Sequence, residues 1–275
     1  MATLNAAECF DLKDRGAIAP GYRGDVVLLD DLKDFHVNRV FIEGALVAEE
    51  GKYLPEIKKC DISSVKGSVI VKDFSKEKFK MNLKSNKVNV IKILPGGVVT
   101  AKDTAEIELD ANGEFVRNPK VDLVKVAVVE RHQGTGNVAC GFLKGYGIKE
   151  GAVALSVAHD SHNIIVVGVN DEEMEFAVNS LIEQEGGIVL VKEGKVIESM
   201  PMPIAGLMSD QSGEWVDQKL TDIHEKAYEE LGICGDVEPV MTLCFMSLAV
   251  IPEIKLTDMG LFDVTTFSFI PVEVE

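Results

Sequence analysis

The stretch NIIVVGVN at residues 163–170 is apolar almost from end to end. A strand of this composition is typical of the middle of a sheet that is covered on both faces. It runs directly into NDEEMEFAVNSLIEQEGG at 170–187, where apolar residues recur three and four positions apart, as on one face of a helix. Asn170 is placed to cap this helix and Gly186 to end it. A buried strand followed by a capped amphipathic helix predicts a layered domain of α and β structure.

Further strands and one more helix extend this pattern. A hairpin is predicted at 188–199, with Gly194 in its turn. A second amphipathic helix is predicted at about 216–231, closed by Gly232. We therefore predict an α/β (α+β) fold with mixed sheets in a large C-terminal domain. The other predicted strands are 88–94, 98–109, 124–130 and 152–158.

The N-terminal part of the chain has a different character. Residues 25–48 contain short β-rich runs and a tight Glu-Gly turn at 43–44, which indicate a small antiparallel β unit. An isolated β ribbon is only marginally stable in water. We divide the chain into this β unit at 1–52, a linker at 53–66 and the large domain at 67–275.

The chain is strongly acidic, with 28 basic and 45 acidic residues and a net charge of −17. Such a chain repels phosphate backbones and anionic lipids, so we expect neither nucleic acid nor a membrane as partner. Its five cysteines are odd in number and widely spaced, which fits a reducing cytoplasm. The N-terminus has no signal-peptide pattern, and the longest apolar run, at 240–251, is too short to span a bilayer. We therefore predict a soluble, cytoplasmic protein.

Three polar segments interrupt the apolar framework at the ends of predicted elements, where binding groups of α/β proteins gather. They are ERHQGTGN at 130–137, AHDSHN at 158–163 and PIAGLMSD at 203–210. If the predicted strands 124–130 and 152–158 pair in parallel, the first two segments lie close together. Their charged and imidazole groups would then form a hydrogen-bonded network, since unpaired buried charges are costly. The candidate accessory catalytic residues are Glu130, Arg131, His132, His159, Asp160, His162 and Asn163.

Metal binding is the first chemistry to consider for these residues. His159, Asp160 and His162 are of types that ligate transition metals. The flanking residues are strand-like, however, and an odd spacing on a strand points two side chains to opposite faces. No third spaced ligand stands nearby. We therefore predict no metal site, and a loop whose polar groups bind its own backbone.

The polar segments also carry partial patterns of a dinucleotide site and of a nucleophilic triad. Gly134, Gly136 and Ala139 match G-x-G-x-x-A before a possible helix, VACGFLKGYG, and Asp160 lies roughly 20 residues further on. The glycines stand several residues beyond the predicted strand, which weakens the match. Serines and histidines are available for a triad, but no G-x-S-x-G elbow occurs. The glycine pattern leaves open a stand-alone nucleotide-binding protein.

Longer phrases of the sequence resemble those of a known family. GAIAPGYRGDVVLLD and FIEGALVAEEGK are similar to the segment that leaves the catalytic barrel of amidohydrolase-superfamily enzymes and enters their small β-sandwich. The resemblance covers nearly the whole chain and implies a partial β-sandwich followed by the C-terminal domain of bacterial and archaeal adenine deaminases. The phrases that resemble this domain are VVERHQGTGN, GFLKGYGIKEGAVALSVAHDSHNIIVVG, PMPIAGLMSD and VIPEIKLTDMGLFDV.

The resemblance also implies a reaction and a missing part. Adenine deaminases hydrolyse adenine to hypoxanthine and ammonia in purine salvage, using a binuclear manganese or iron centre on a barrel that carries a His-x-His pair. This chain has no His-x-His. The resemblance therefore implies a C-terminal portion that holds no cofactor, supports or caps the barrel, and is inactive alone. We expect a homo-oligomer, and the alternative to an accessory catalytic role is a purely structural or oligomerisation module.

Overall fold

A computed structural model describes residues 2–274 of the chain. The chain forms two compact units, Met1–Asp61 and Ile62–Glu275. The division between them falls inside the segment 53–66, which has the composition of a linker.

The first unit is a four-stranded antiparallel sheet preceded by a short helix. Glu43 and Gly44 both adopt positive φ angles, as a tight hairpin turn with the twist of the strands requires. Within residues 2–61, Ala7 is the one hydrophobic residue that is fully buried. The predicted small antiparallel unit is therefore confirmed, and it encloses no core of its own. Its elements are α1 (Leu4–Cys9), β1 (Val26–Leu29), β2 (Val37–Ile42), β3 (Ala45–Glu49) and β4 (Lys52–Tyr53).

The second unit contains the remaining strands and helices and confirms the α+β class. Two 3₁₀ turns, Ser63–Val65 and Lys76–Phe79, precede its first strand. The elements are β5 (Lys87–Ile93), β6 (Thr100–Glu106), β7 (Glu108–Leu109), β8 (Phe115–Val116), β9 (Leu123–Val129), β10 (Val138–Lys144), β11 (Ala152–Leu155), β12 (Ile164–Gly168), α2 (Asp171–Glu183), β13 (Gly187–Lys192), β14 (Lys195–Pro201), α3 (Gly213–Glu229), α4 (Pro239–Cys244), β15 (Ile254–Thr257), β16 (Gly260–Asp263) and β17 (Ser268–Phe269).

An eight-stranded mixed sheet forms the centre of this unit, in the order β14-β13-β11-β12-β9-β10-β5-β6. Its neighbouring strands are antiparallel except β10 and β5, which are parallel. The predicted helices correspond to α2 and α3, and the predicted hairpin to β13 and β14 with Glu193 and Gly194 in the turn. Strands β15 to β17 form a separate three-stranded sheet, and β7 pairs with β8.

Both faces of the large sheet are covered. On β9, Val126 and Val128 belong to the apolar cluster that includes residues of α3, α4 and β15. Ala127 and Val129, which point to the other face, belong to the cluster that includes α2. Strand β12 is buried along its whole length. This burial confirms the prediction drawn from its uninterrupted apolar sequence.

The structure corrects two predictions about neighbouring strands. The first seven residues of the possible helix VACGFLKGYG form strand β10, which pairs with β9 along its whole length. Glycine disfavours a helix, and partner strands lie on both sides of β10. No helix therefore follows Gly134 and Gly136, so these glycines do not belong to a dinucleotide-binding motif. Strands β9 and β11 do not pair in parallel, because β12 lies between them and is antiparallel to both. A strand with two apolar faces is best placed at the centre of a covered sheet.

Candidate functional site

The three polar segments of the sequence meet at one end of the large sheet. Because β12 is antiparallel to both β9 and β11, the end of each of those strands lies beside the start of β12. The segment after β9 therefore lies against the segment that joins β11 to β12. The segment after β14 joins them through hydrogen bonds to Arg131 and Ser156. We call residues 130–137, 156–163 and 203–210 together the loop cluster.

Arg131 is the centre of the loop cluster. Its side chain is fully buried, and its guanidinium donates hydrogen bonds to the carbonyl oxygens of His162, Ala205 (3.2 Å) and Ser68 (3.5 Å). Its backbone N–H donates to Asn163 Oδ1 at 3.3 Å. Burial is the main effect on this guanidinium and lowers its pKa. One side chain thus joins three chain segments by charge-assisted hydrogen bonds to their carbonyl groups.

A second buried contact fixes the segment after β14. Ser156 Oγ donates to Gly206 O at 2.6 Å and accepts from Gly187 N–H at 2.7 Å. Gly206 has a φ of +71°, and a Cβ atom there would stand 2.7 Å from Arg131 Nη1. Glycine is therefore required at this position both for the backbone conformation and for the space beside the guanidinium.

Glu130 shapes its own loop, and among the hydrogen bonds of the described residues its carboxylate meets no imidazole ring. Its buried carboxylate accepts from the backbone N–H groups of His132, Gln133 (2.7 Å) and Thr135 (2.9 Å), and from Thr135 Oγ1 (3.1 Å). Burial raises the pKa of Glu130, but these donors outweigh it and hold the pKa below its usual value. The sequence predicts that these side chains form hydrogen bonds with one another. In the structure they form hydrogen bonds mainly with backbone N–H and C=O groups.

The histidines of the loop cluster form an aromatic surface with Phe245. The ring of His159 lies 4.8 Å from that of Phe245 and 5.7 Å from that of His162, measured between centroids. His162 Nδ1 is buried without a hydrogen-bond partner among residues 2–274. Burial, followed by electrostatic interaction with His159 and Arg131, lowers the pKa of His162, so this imidazole is neutral at pH 7.

The other candidate residues have distinct positions. His132 is exposed, and its Nε2 lies 2.7 Å from Ser161 O, so Nε2 carries the proton because a carbonyl oxygen can only accept. Asp160 is exposed at the tip of the loop, and Asn163 is buried and bonded to Arg131. Sequence reasoning did not predict Phe245 or Ser68. Phe245 lies within the apolar run 240–251 and carries no signal that separates it from a core residue.

The described residues do not form a metal centre: no group of three or more His, Cys, Asp or Glu side chains in 2–274 is arranged to hold a metal ion. Helices long and apolar enough to cross a membrane are likewise absent from this part of the chain. The loop cluster and the neighbouring Phe245 instead combine tilted aromatic rings, a neutral imidazole and an exposed carboxylate. Such a surface can stack against a planar ring and form hydrogen bonds with its edge.

Comparison with known proteins gives matches over almost the whole sequence. Residues 97–268 match the model of the adenine deaminase C-terminal domain, and residues 1–47 match that of the amidohydrolase family. Adenine deaminase 2 of Desulfotalea psychrophila is 67% identical over 99% of this chain and 47% of its own length. Adenine deaminase of Ligilactobacillus salivarius is 48% identical over 100% of the chain and 48% of its own length. The chain thus spans about half the length of the curated relatives that it matches.

Proposed function

Because this chain belongs to the family of adenine deaminase C-terminal domains, we propose that it is an accessory portion of an adenine deaminase. The proposed enzyme hydrolyses adenine to hypoxanthine and ammonia and serves purine salvage in the cytoplasm. In this proposal the present chain supports or caps the metal-bearing part of the enzyme. The observation that carries the proposal is the convergence of three loops on Arg131. Its bond to His162 O fixes the segment that presents His159 and His162 beside Phe245.

The described residues do not provide the ligands that the metal of the proposed reaction requires. A manganese or iron centre needs several imidazole and carboxylate ligands directed at one point. His162 Nδ1 is buried within the chain, and the side chains of 2–274 supply no set of three ligands. The residues present therefore do not fit the metal centre, and the proposal gives this chain no metal and no step that depends on one.

The aromatic surface is suited to position a purine. A planar adenine ring can stack on the ring of His159, which is itself supported by Phe245 at 4.8 Å between centroids. The neutral imidazole of His162 can exchange hydrogen bonds with ring nitrogens without adding a charge. The same surface would exclude water from the mouth of the active site. Both roles need a rigid loop, which the carbonyl contacts of Arg131 supply.

The first test is an ammonia assay of the isolated chain. The 275-residue protein is incubated with adenine and Mn²⁺ or Fe²⁺, and the ammonia released is measured. We expect no turnover, because no metal-activated water is available within residues 2–274. Turnover at an enzyme-like rate would contradict the accessory role.

The second test uses the longer relative from Desulfotalea psychrophila. Replacing the residue that aligns with His159 by alanine should lower kcat/KM for adenine by about tenfold or more while the melting temperature stays the same. The matched control is the residue aligned with the exposed His36, whose replacement should change neither quantity. Unchanged kinetics of the His159 variant would limit the loop cluster to a structural role.

A structural or oligomerisation role remains the second candidate function, because a separate observation favours it. The sheet of the first unit exposes Val27, Leu28, Ile42 and Leu46, and it has no core of its own. Exposed apolar sheet surface of this kind is typical of an interface. We propose that it contacts another protein segment or another copy of the chain, so that the enzyme is a homo-oligomer.

A further inference from the structure

A polar cleft of about 510 Å³ lies at the start of α2. Gly168, at the end of β12, and Asn170 and Asp171, at the start of the helix, form one of its walls. The loop cluster lies at the other end of β12, which is five residues long, so roughly 15 Å separate the two sites. The volume falls within the range of about 300–1,000 Å³ that is usual for small-ligand sites. We call it the α2 cleft.

The α2 cleft is less acidic than the chain as a whole. Its lining contains four basic residues, Lys76, Lys80, Arg117 and Lys125, and four acidic ones, Glu77, Glu114, Asp171 and Glu172, whereas the whole sequence has 28 basic and 45 acidic residues. The cleft also lies at the N-terminus of a 13-residue helix, where the backbone dipole favours an anion. A negatively charged ligand would therefore meet less repulsion here than over most of this acidic chain.

Three charged residues of the cleft, Lys125, Asp171 and Glu114, have fixed partners. Lys125 has a buried side chain, and its Nζ donates to Asp171 Oδ1 (2.8 Å), Asp171 Oδ2 (3.0 Å) and Phe79 O (3.0 Å). Glu114 accepts from the backbone N–H groups of Met81 (3.2 Å) and Asn82 (3.1 Å). These contacts make a rigid base whose charges are already satisfied.

The remaining cations are free to exchange partners. Lys76 pairs with Glu172 and Lys80 with Glu77, and the two glutamate side chains are 69% and 61% exposed. Exposed pairs of this kind contribute little to stability, so each glutamate can turn into solvent at small cost. Arg117 donates to Ile148 O at 2.9 Å, and within residues 2–274 its Nε is buried without a hydrogen-bond partner and no carboxylate lies in salt-bridge range. Once the two glutamates turn away, the cleft presents the three positive charges of Lys76, Lys80 and Arg117 against one remaining negative charge, that of Glu114, since Lys125 and Asp171 neutralise each other.

We propose that the α2 cleft binds the phosphate group of a small phosphomonoester. Lys80 and Arg117 contact the phosphate oxygens, Lys76 contributes charge, and the start of α2 faces the anion. The space beyond the phosphate accommodates the rest of the molecule against Phe115 and Val169. The proposed site contains no residue of the loop cluster. Its test therefore does not depend on the deaminase proposal.

Isothermal titration of the 275-residue chain tests this site with three probes: inorganic phosphate, adenosine 5′-monophosphate and adenosine. We expect saturable binding of the two phosphate-bearing probes, weakened by added salt, and no binding of adenosine. The substitution Arg117→Gln should weaken binding by about tenfold or more, because a charge-assisted contact is lost. Lys80→Gln should weaken it about threefold, and this exposed residue can be changed without affecting folding.

The matched control is Lys195→Gln, which removes an exposed lysine from the start of β14, next to the turn of the β13–β14 hairpin. Its binding and its melting temperature should equal those of the parent chain. Equal binding of adenosine and the monophosphate would overturn the proposal, as would the absence of saturation with both phosphate probes. Binding that survives in both the Arg117 and the Lys80 variants would place the anion elsewhere and would overturn it too.

Discussion

At the scale of single residues, Arg131 explains how the loop cluster keeps its shape. Its guanidinium is removed from water but meets carbonyl oxygens of three different segments. Such contacts compensate the loss of hydration only if all of them form together. The loops that carry His159 and His162 are thus held from inside the protein, while their imidazoles stay at its surface.

We predict that Arg131→Met lowers the free energy of unfolding by about 2–4 kcal/mol, because buried carbonyl groups lose their donors. Urea denaturation followed by circular dichroism measures the change. The control is Arg39→Ala in β2, whose exposed pair with Glu49 contributes at most about 1 kcal/mol. A variant of Arg131 as stable as the parent would show that the guanidinium does not hold the loops together.

At the scale of elements, α2 shows that local sequence can specify a helix start. Asn170 Oδ1 accepts from the backbone N–H of Glu173 at 2.7 Å, and Asp171, Glu172 and Glu173 place negative charge in the first turn. Both features stabilise the end of the helix whose N–H groups lack helical partners. Met174, Ala177 and Val178 then bury one face of α2 against the sheet.

We predict that Asn170→Ala lowers the free energy of unfolding by about 1 kcal/mol, since the cap acceptor is lost. Asn170→Asp is the matched control: it keeps the acceptor, adds charge favourable to the helix dipole, and should be as stable as the parent. Thermal unfolding of the three proteins under identical conditions gives the comparison. Equal destabilisation by alanine and aspartate would mean that the cap bond contributes nothing.

At the scale of the whole molecule, the two units differ in how much apolar surface they bury. The second unit buries apolar clusters on both faces of its large sheet. The first unit leaves Val27 54% and Ile42 47% exposed, on one face of a sheet with no covering layer within residues 2–61. Water-exposed apolar sheet surface favours association, because contact removes it from water.

We predict that the chain self-associates through the first unit and that the double substitution Val27→Lys, Ile42→Lys abolishes this association. Sedimentation velocity over a range of concentrations measures the mass. The control is Val121→Lys, which adds a lysine at an exposed position of the second unit and should leave association unchanged. A parent chain that stays monomeric at every concentration would contradict the prediction.

The extent to which the site was predictable differs from residue to residue. Polar segments at strand ends identified Glu130, Arg131, His159 and His162, because the chemistry of a side chain is visible in the sequence. Their partners were not visible: Arg131 is bonded to carbonyl oxygens, which every residue carries. Phe245 was missed for a related reason, since an aromatic residue in an apolar run looks the same in a core and at a site.

The sequence by itself determined the elements whose signals are local: the capped helix α2, the hairpin of β13 and β14, and the buried strand β12. Hydrophobic periodicity and turn chemistry act over a few neighbouring residues, so they can be read without the fold. Only the tertiary structure decided that VACGFLKGYG is a strand and that β12 separates β9 from β11. Those outcomes depend on hydrogen bonds and burial contributed by distant segments, and such partners outweigh the local preference of a glycine-rich stretch.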